Sequence, residues 1–358
     1  MVRIKALGKM IIRLQKYLWS LFGNRRVSEE KKSITPEGVC NVNNNQVECG
    51  DTHYCVDDCQ KINKKIAYSV TPQIFYITKN ISSLLRDLFS KFTKLNYTIK
   101  IGLEIEFYSL AKIDNLELFY GDILDFLSVN GIDTFALERE RGDGQFEIQF
   151  RPYMDLYKLI DDYNKLKIFL LSSKYKITFG AMPFYYDVGS ALQVNITLNR
   201  GNENLFSRRV VEEGRYESEL LKNCIAGLLY KTNTFLPLYI KSNNCLLRYD
   251  KDFCKIFYKQ GKIPGPTHNS WGVNNRTCSI RIPTPKNFSD IKHYHREDNL
   301  NRRIEFRVPS SDSDIRLVIY GVLNSMLYGI ENNLQPMEGT INNVFDDNEN
   351  YEMIELAF

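Results

Sequence analysis

The sequence predicts an α+β fold built on a largely antiparallel sheet. Five short stretches alternate apolar residues with acidic, amide or arginine residues, and this period of two is typical of strands with one buried face. Segments with helical spacing separate the stretches, and strands interspersed with helices in this way indicate an α+β domain. The predicted strands lie at residues 102–107, 145–150, 192–198, 279–282 and 303–308.

The predicted helices follow from apolar residues that recur every three or four positions. The clearest helix is 155–171, in which Leu156, Leu159, Tyr163 and Leu170 share one side. We expect the helices to flank the sheet and to cover its apolar face. Similar spacing predicts further helices at 81–92, 116–129, 217–230 and 315–330.

The character of the chain changes near residue 95 and again after residue 335. Residues 1–95 form a divergent N-terminal region of unclear fold, 96–335 a dense and regular main domain, and 336–358 an acidic, Asn-rich extension that we expect to be loose. Residues 38–51 contain Gly, Asn and two Cys but few large apolar groups, which predicts a loop or linker.

A basic amphipathic helix is predicted at the N-terminus. The first 26 residues carry seven Lys or Arg and no acidic residue, and their apolar residues follow helical spacing. Such a helix either contacts an anionic membrane surface or packs on its own domain. No stretch is apolar over a length that spans a bilayer, so we expect a cytoplasmic protein without a transmembrane helix.

Charge and cysteine content exclude few classes of protein. A net charge of +4 on 358 residues gives no reason to expect a nucleic-acid partner. Four of the eight cysteines cluster near the N-terminus without the paired spacing of a zinc site. His53 leaves a metal site open there, but we favour reduced thiols. The cluster consists of Cys40, Cys49, Cys55 and Cys59.

The acidic residues of the predicted strands indicate a site for metal ions. Glu104 and Glu106 lie two residues apart on one stretch, and Glu140, Glu147 and Glu305 lie on or beside others. Neighbouring carboxylates repel one another unless a cation lies between them. If the five converge, their hard oxygen ligands suit Mg²⁺ or Mn²⁺ rather than zinc.

Arginines on the same stretches indicate an anionic ligand. Arg276, Arg281, Arg303 and Arg307 offer paired donors for a phosphate or a carboxylate. Metal ions and arginines around a polyphosphate form the general arrangement for phosphoryl transfer. A single stretch of this kind is more often an ordinary surface strand, but five in one domain weaken that interpretation. The chain has no G-x-x-x-x-G-K phosphate loop.

Five segments along the chain combine the acidic, amide and arginine residues described above. They are G-L-E-I-E-F (102–107), E-R-G-D-G-Q-F-E-I (140–148), G-S-A-L-Q-V-N-I-T-L (189–198), S-W-G-V-N-N-R-T-C-S-I-R-I-P (270–283) and R-R-I-E-F-R-V-P (302–309). In this order they resemble the signature segments of the glutamine synthetase catalytic domain. The resemblance covers about residues 97–333, and its G-D-G-Q-F-E and S-W-G-x-x-N-R forms are most similar to the γ-glutamyl-polyamine synthetase branch. It implies a curved, largely antiparallel sheet funnel, often completed by a small N-terminal domain of a neighbouring subunit in a homo-oligomeric ring.

The resemblance implies two metal positions. Glu106, Glu140 and Glu147 match the carboxylates of the first, and Glu104 and Glu305 match two of three ligands of the second. The family's metal-ligating histidine is replaced by Gln193, whose carbonyl oxygen can still bind Mg²⁺.

The resemblance also implies roles in substrate binding and catalysis. Arg276 and Arg281 match arginines near the phosphates, with catalytic and ATP-binding roles. Asn195 replaces a phosphate-facing histidine and is also assigned to ATP. Arg307 matches a catalytic arginine near the substrate carboxylate. The remaining substrate-binding residues are Gly189 and Arg248.

The resemblance implies an ATP-dependent carboxylate–amine ligase. ATP phosphorylates a γ-carboxylate with the help of two divalent metals, Mg²⁺ or Mn²⁺, and an amine then displaces phosphate. The expected partners are ATP, glutamate or a similar carboxylate, and an amine. Residues 262–268 lack the family's flap glutamate, which favours an amine bulkier than ammonia and leaves His268 as a candidate base. The alternatives are a degenerate homologue that binds nucleotide or a partner without turnover, and a glutamate–cysteine ligase-like enzyme.

Overall fold

The chain forms two compact units, Met1–Ala67 and Tyr68–Phe358. The computed structural model describes residues 72–207, 217–284, 301–346 and 350–356, together with the backbone of short strands within 34–55 and 209–216. The predicted basic helix lies outside the described residues, as do Cys40 and Cys59.

The first unit contains short antiparallel strands. β1 (Ile34–Thr35) pairs with β2 (Gly38–Val39), while β3 (Val42–Asn43), β4 (Gln46–Cys49) and β5 (Thr52–Cys55) form a three-stranded sheet. The loop predicted for 38–51 is therefore corrected. Its few β-favouring residues align across the sheet, since Val47 lies opposite both Val42 and Tyr54.

A nine-stranded sheet forms the centre of the second unit. Its strands are β6 (Thr98–Ser109), β7 (Thr134–Arg139), β8 (Gln145–Phe150), β9 (Ile177–Thr178), β10 (Leu192–Arg200), β11 (Glu203–Asn204), β14 (Trp271–Val273), β15 (Ile280–Ile282) and β16 (Ile304–Phe306). The main path runs β14-β15-β16-β10-β6-β8-β7, with β11 paired to β10 and β9 paired to β6. Every pair in this sheet is antiparallel except β14 with β15, so the predicted fold class is confirmed. β12 (Arg209–Val211) and β13 (Gly214–Tyr216) form a separate hairpin.

The five predicted helices are all present, with longer ends in several cases. Side chains of Asn115, Asp155, Ser218 and Asp314 accept backbone N–H groups in the first turn of the helix that follows, which explains where these helices begin. A 3₁₀ helix spans Asn243–Tyr249. The helices are α1 (Pro72–Lys94), α2 (Leu116–Val129), α3 (Leu156–Ser172), α4 (Glu219–Tyr239), α5 (Lys251–Lys259) and α6 (Ile315–Glu331).

The helices cover the apolar face of the sheet. Phe119 of α2 lies 4.7 Å from Phe146 of β8 between ring centroids, and Tyr239 of α4 lies 5.3 Å from Phe306 of β16. These strand residues alternate with the polar ones, so the polar residues project from the opposite face. No helix among the described residues is long and apolar enough to cross a membrane.

Two glycines let α4 and α6 approach closely. A Cβ on Gly227 would lie 2.1 Å from the carbonyl oxygen of Ser325, and one on Gly329 would lie 2.0 Å from that of Asn223. No side chain fits at either position, because real Cβ contacts are longer than this. The two helix backbones are therefore in direct contact at these glycines.

The compact units differ from the boundaries expected at 95 and 335. α1 belongs to the second unit, since it packs against α6 and buries Ile74, Ile81 and Phe92. The segment after 335 is packed rather than loose. Its backbone bonds to Thr267, Asn269 and Trp271. Its buried side chains are Val344, Phe345, Ile354 and Leu356.

Candidate active site

Strand pairing brings most of the predicted site residues together on one face of the sheet. Glu104 lies directly opposite Gln193, and Glu106 lies directly opposite Glu147. Residues opposite one another in antiparallel strands point to the same face. Glu104 and Glu106 also share this face, because they are two residues apart on β6.

The same face continues across the neighbouring strands. Glu305 of β16 lies opposite both Asn195 of β10 and Arg281 of β15. Arg307 follows Glu305 by two residues and projects from the same side, which its contacts confirm. The carboxylates predicted from separate stretches thus meet on one continuous polar face.

One half of this face is a cluster of carboxylates. The Glu106 carboxylate accepts hydrogen bonds from the backbone of Ala191 at 2.7 Å and from the Gln193 amide at 2.8 Å. Burial, followed by the charge of Glu140, raises the pKa of Glu106 to about 7. Burial and the charges of Glu104 and Glu106 raise the pKa of Glu147 to about 9. Glu106 and Glu147 therefore hold their protons more tightly than an ordinary glutamate, because the cluster disfavours further negative charge.

The other half of the face pairs its carboxylate with arginines. Oε1 of Glu305 lies 2.7 Å from Nη1 of Arg307, and Oε2 lies 2.8 Å from Nη1 of Arg281. Burial acts to raise the pKa of Glu305, but Arg307 and Arg281 hold it below its ordinary value. Glu305 is consequently a neutralised carboxylate, unlike Glu106 and Glu147.

Two amides link the halves. Gln193 donates through Nε2 to Glu106, and its Oε1 accepts from Nη1 of Arg307 at 2.7 Å. Asn195 donates to Glu104 at 2.9 Å and accepts from Nε of Arg303 at 2.7 Å. Each amide uses its donor toward a carboxylate and its acceptor toward a guanidinium.

Arg248 and Gly189 adjoin the polar face. Arg248 is 2% exposed and donates to the carbonyl of Val308 and the hydroxyl of Ser310. Gly189 is required beside it, because a Cβ there would lie 2.6 Å from Cγ of Arg248. In the part of the chain that the structure describes, Nε of Arg248, Arg281 and Arg307 is buried without a hydrogen-bond partner, as expected for donors that await an anionic ligand.

Two predicted residues lie at the margin of the site. Arg276 is exposed on the turn before β15, close enough to Arg281 to act on its pKa. Glu140 is partly exposed just after β7 and accepts from the backbone of Arg141, yet its charge acts on both Glu106 and Glu147. Both lie outside the strands, which explains why they are less enclosed than the strand residues.

Sequence reasoning missed the contribution of three polar neighbours. Gln145 is 2% exposed and donates to Glu106, while its Oε1 accepts from the backbone of Gly142. Gln149 donates to Glu147 at 2.7 Å and to Glu138 at 3.2 Å. The period of two on β7 and β8 was the available signal, since it places all three on the polar face.

The candidate base His268 is enclosed rather than open to the site. It is 2% exposed, and its Nδ1 lies 2.8 Å from the hydroxyl of Thr267. Burial, followed by the charge of Lys251, lowers its pKa. Its strand-like pairing with Met353 covers it with the C-terminal segment.

The carboxylate cluster fits a hard divalent cation by the chemistry of its donors. Glu106, Glu140 and Glu147 offer oxygen ligands whose mutual repulsion a cation would relieve. Among the described residues, no three acidic, His or Cys side chains already have the spacing of a formed metal site, so an ion would have to draw these carboxylates together. The second expected position does not fit in the same way, since Gln193 and Glu305 are bonded to Arg307.

Comparison with known proteins identifies the family. A family model, "Glutamine synthetase, catalytic domain", matches residues 66–357. The chain therefore belongs to the glutamine synthetase catalytic-domain family.

Two curated relatives are ligases of amines. Gamma-glutamylputrescine synthetase of Escherichia coli (strain K12) is 29% identical over 237 residues, which cover 64% of this chain and 44% of that protein. Glutamate–isopropylamine ligase of Pseudomonas sp is 25% identical over 295 residues, covering 81% of this chain and 58% of that protein. The chain thus spans about half the length of these relatives.

A solved structure has the same fold. The cryo-EM structure of Plasmodium falciparum glutamine synthetase matches with a TM-score of 0.57 at 16% identity, covering 72% of this chain and 56% of that one.

Proposed function

We propose that this chain is an ATP-dependent ligase that joins the γ-carboxylate of glutamate, or of a similar acid, to an amine. The observation that carries the proposal is the single polar face on which buried carboxylates lie beside buried arginines. Carboxylates that suit a cation and arginines that retain a buried, unpartnered Nε are together suited to a nucleotide phosphate and a carboxylate substrate. Family membership agrees with this chemistry.

The reaction has two steps. A carboxylate oxygen of the substrate attacks the γ-phosphorus of ATP, and ADP leaves, so that an acyl phosphate forms. The amine nitrogen then attacks the acyl carbon, phosphate leaves with the bonding electrons, and the nitrogen loses a proton. The product is a γ-glutamyl amide.

The residues of this chain would act by binding and charge neutralisation. Arg281 and the exposed Arg276 would hold phosphate oxygens, and the unpartnered Nε of Arg248 would orient the substrate carboxylate. Glu106 and Glu147 would hold a divalent cation, Mg²⁺ or Mn²⁺, which when bound offsets the negative charge of the transferred phosphoryl group.

The choice of amine is proposed from the flap segment. Residues 262–268 contain no acidic side chain, and Lys262 instead lies 2.5 Å from the buried Asp187. The flap itself therefore supplies no carboxylate that could bind an ammonium ion, and we propose an alkylamine or polyamine as the substrate. The amines in the names of the two relatives favour the same class.

The second candidate is a homologue that binds Mg²⁺ and ATP without turnover. The amide side chains at Gln193 and Asn195 favour it, because both are already bonded to arginines. The carboxylate cluster suits both candidates, because each would bind a divalent cation there.

A single assay separates these candidates. ADP release would be measured with glutamate and ammonia, methylamine, isopropylamine or putrescine, at fixed Mg²⁺. We expect amine-dependent ADP release that is greater with an alkylamine than with ammonia. Thermal stabilisation by Mg²⁺ and ATP without ADP release would establish the second candidate, and absence of both effects would reject both.

Variants test whether the site residues act as proposed. Glu147→Gln should abolish ADP release and remove most of the stabilisation by Mg²⁺ and ATP. Glu331→Gln is the matched control, since Glu331 is exposed at the end of α6. Equal activity of the two variants would contradict the proposed role of the cluster.

A further inference from the structure

An arginine side chain lies where the second metal ion was expected. One nitrogen of Arg307, Nη1, is 2.7 Å from Oε1 of Gln193 and 2.7 Å from Oε1 of Glu305. These are two of the side chains expected to bind that ion. Arg307 is 8% exposed, and a guanidinium does not lose its proton in a protein, so this bridge is a permanent positive charge.

The charge around this position would repel a divalent cation. Both oxygens of Glu305 are paired with arginines, one with Arg307 and the other with Arg281. A third guanidinium, that of Arg303, also acts on Glu305 and Glu104. Three guanidinium groups thus face two carboxylates, whereas a divalent ion is favoured by an excess of carboxylates.

The chemistry of Gln193 suits a guanidinium. Its Nε2 donates to Glu106, and its only oxygen accepts from Arg307. An ion bound to that oxygen would compete directly with the Arg307 bond. The amide satisfies an anion on one side and a guanidinium on the other, which an imidazole bound to a metal cannot do.

The carboxylate cluster has the opposite character. Within the described chain, none of Glu106, Glu140 and Glu147 forms a salt bridge with Lys or Arg. Glu106 is stabilised by hydrogen bonds from Ala191 and Gln193 and by the more distant charge of Arg248, and Glu147 accepts from the Gln149 amide. The polar face therefore has one half that attracts a divalent ion and one half that already contains its cations.

We propose that the polar face binds one divalent cation per chain, at Glu106, Glu140 and Glu147, and that the guanidinium of Arg307 replaces a second ion between Gln193 and Glu305. This inference rests on the proposed function in that it assigns the carboxylate cluster to a cation. The positive charge that Arg307 supplies would then be independent of metal concentration.

The test is the number of Mn²⁺ ions bound by the full chain without nucleotide. Equilibrium dialysis should give one ion per chain, and the electron paramagnetic resonance spectrum should be that of isolated Mn²⁺ without spin coupling. The double variant Gln193→His/Arg307→Gln should bind two ions with coupled spins. Arg303→Gln is the matched control, because it removes a guanidinium that flanks the same strand, β16, but leaves the Arg307 bridge, and it should bind one.

The outcomes separate this inference from the proposed function. Two ions per unaltered chain, or one ion in the folded double variant, would overturn the assignment of Arg307. One ion in a chain that releases no ADP would uphold the inference and reject the ligase. Two ions in a chain with amine-dependent ADP release would overturn the inference and uphold the ligase. If Arg307→Gln prevents folding, as judged by circular dichroism, Arg307→Met replaces it in the double variant, because methionine keeps much of the side-chain volume. The expected number of bound ions is again two.

Discussion

Glu106 and Glu147 lie directly opposite one another on β6 and β8, and both have raised pKa values, about 7 and about 9. Burial is the largest cause for each, and neighbouring carboxylates add to it. These groups retain protons at pH values where an ordinary glutamate has lost them. Only a proton or a cation relieves the repulsion between them, which links the electrostatics of the fold to ligand binding.

The stability of the metal-free protein should fall as pH rises. The folded state holds protons on Glu106 and Glu147 that the unfolded chain releases near the ordinary value of 4.5. Folding is therefore favoured at low pH, and this contribution declines above 4.5 and is lost as pH rises through about 7 and about 9. Thermal unfolding in EDTA across this range measures it.

A variant tests whether Glu147 causes the decline in stability between pH 7 and 9. Glu147→Gln should flatten the fall in melting temperature between pH 7 and 9, because the titrating group is gone, while Glu331→Gln should leave the fall unchanged. A melting temperature that rises over this range in EDTA would show that the paired carboxylates are not protonated in the folded state.

Gln145 should position Glu106 for cation binding. Its amide donates to Glu106 at 3.3 Å, to the carbonyl of Gly189 at 3.2 Å and to the hydroxyl of Ser190 at 3.3 Å. Loss of a residue that orients a metal ligand typically lowers metal affinity about 10–100-fold. We expect a decrease of this order for Mn²⁺ in Gln145→Leu.

The matched control for this change is Gln335→Leu, because Gln335 is exposed and donates to the exposed Glu219. Mn²⁺ affinity measured by titration should be unaltered in the control. An unchanged affinity in Gln145→Leu would assign Gln145 to packing alone.

The contact between α4 and α6 should not tolerate a methyl group. Gly227→Ala would place Cβ 2.1 Å from the carbonyl of Ser325, and overpacking of this kind costs about 1–3 kcal/mol or more. Gly121→Ala on α2 meets open space and should stabilise the protein by about 0.5–1 kcal/mol, since alanine favours a helix. Urea unfolding of both variants gives the comparison, and similar free energies would show that the helices can separate at low cost.

The C-terminal segment should contribute to the stability of the second unit. Phe345 is 1% exposed, and Phe345→Ala should lower the free energy of unfolding by about 3–5 kcal/mol. Ile341 is 91% exposed, so Ile341→Ala should change it by about 0.5 kcal/mol or less. Equal effects in thermal or urea unfolding would mean that the segment detaches readily.

Secondary structure was predictable where a period extended over many residues. The period of 3.6 located α2, α3 and α6 to within a residue or two, and the period of two located β6 and β8. The C-terminal segment has no such period. Its isolated apolar residues are buried through contacts with chain far away in sequence, which no local pattern records.

The sequence was sufficient to predict which acidic residues share the polar face, but not which of them form salt bridges with arginines. Alternation was sufficient to place Glu104, Glu106 and Glu147 on one face. It did not indicate which carboxylate would pair with an arginine. That depends on strand order, since the arginines lie on β15 and beside β16, next to β10 and away from β8.

The position of β16 also determines the point in synthesis at which the sheet is completed and the protein can bind ligand. β16 is the last strand in the described chain, yet it joins β14 and β15 to β10 in the interior of the sheet. Until Ile304–Phe306 leaves the ribosome, β10 has an open edge that can recruit a strand from another chain. A polypeptide interrupted before this point lacks both Glu305 and the strand that closes the gap, so protection from aggregation and the capacity to bind ligand are gained in the same late event.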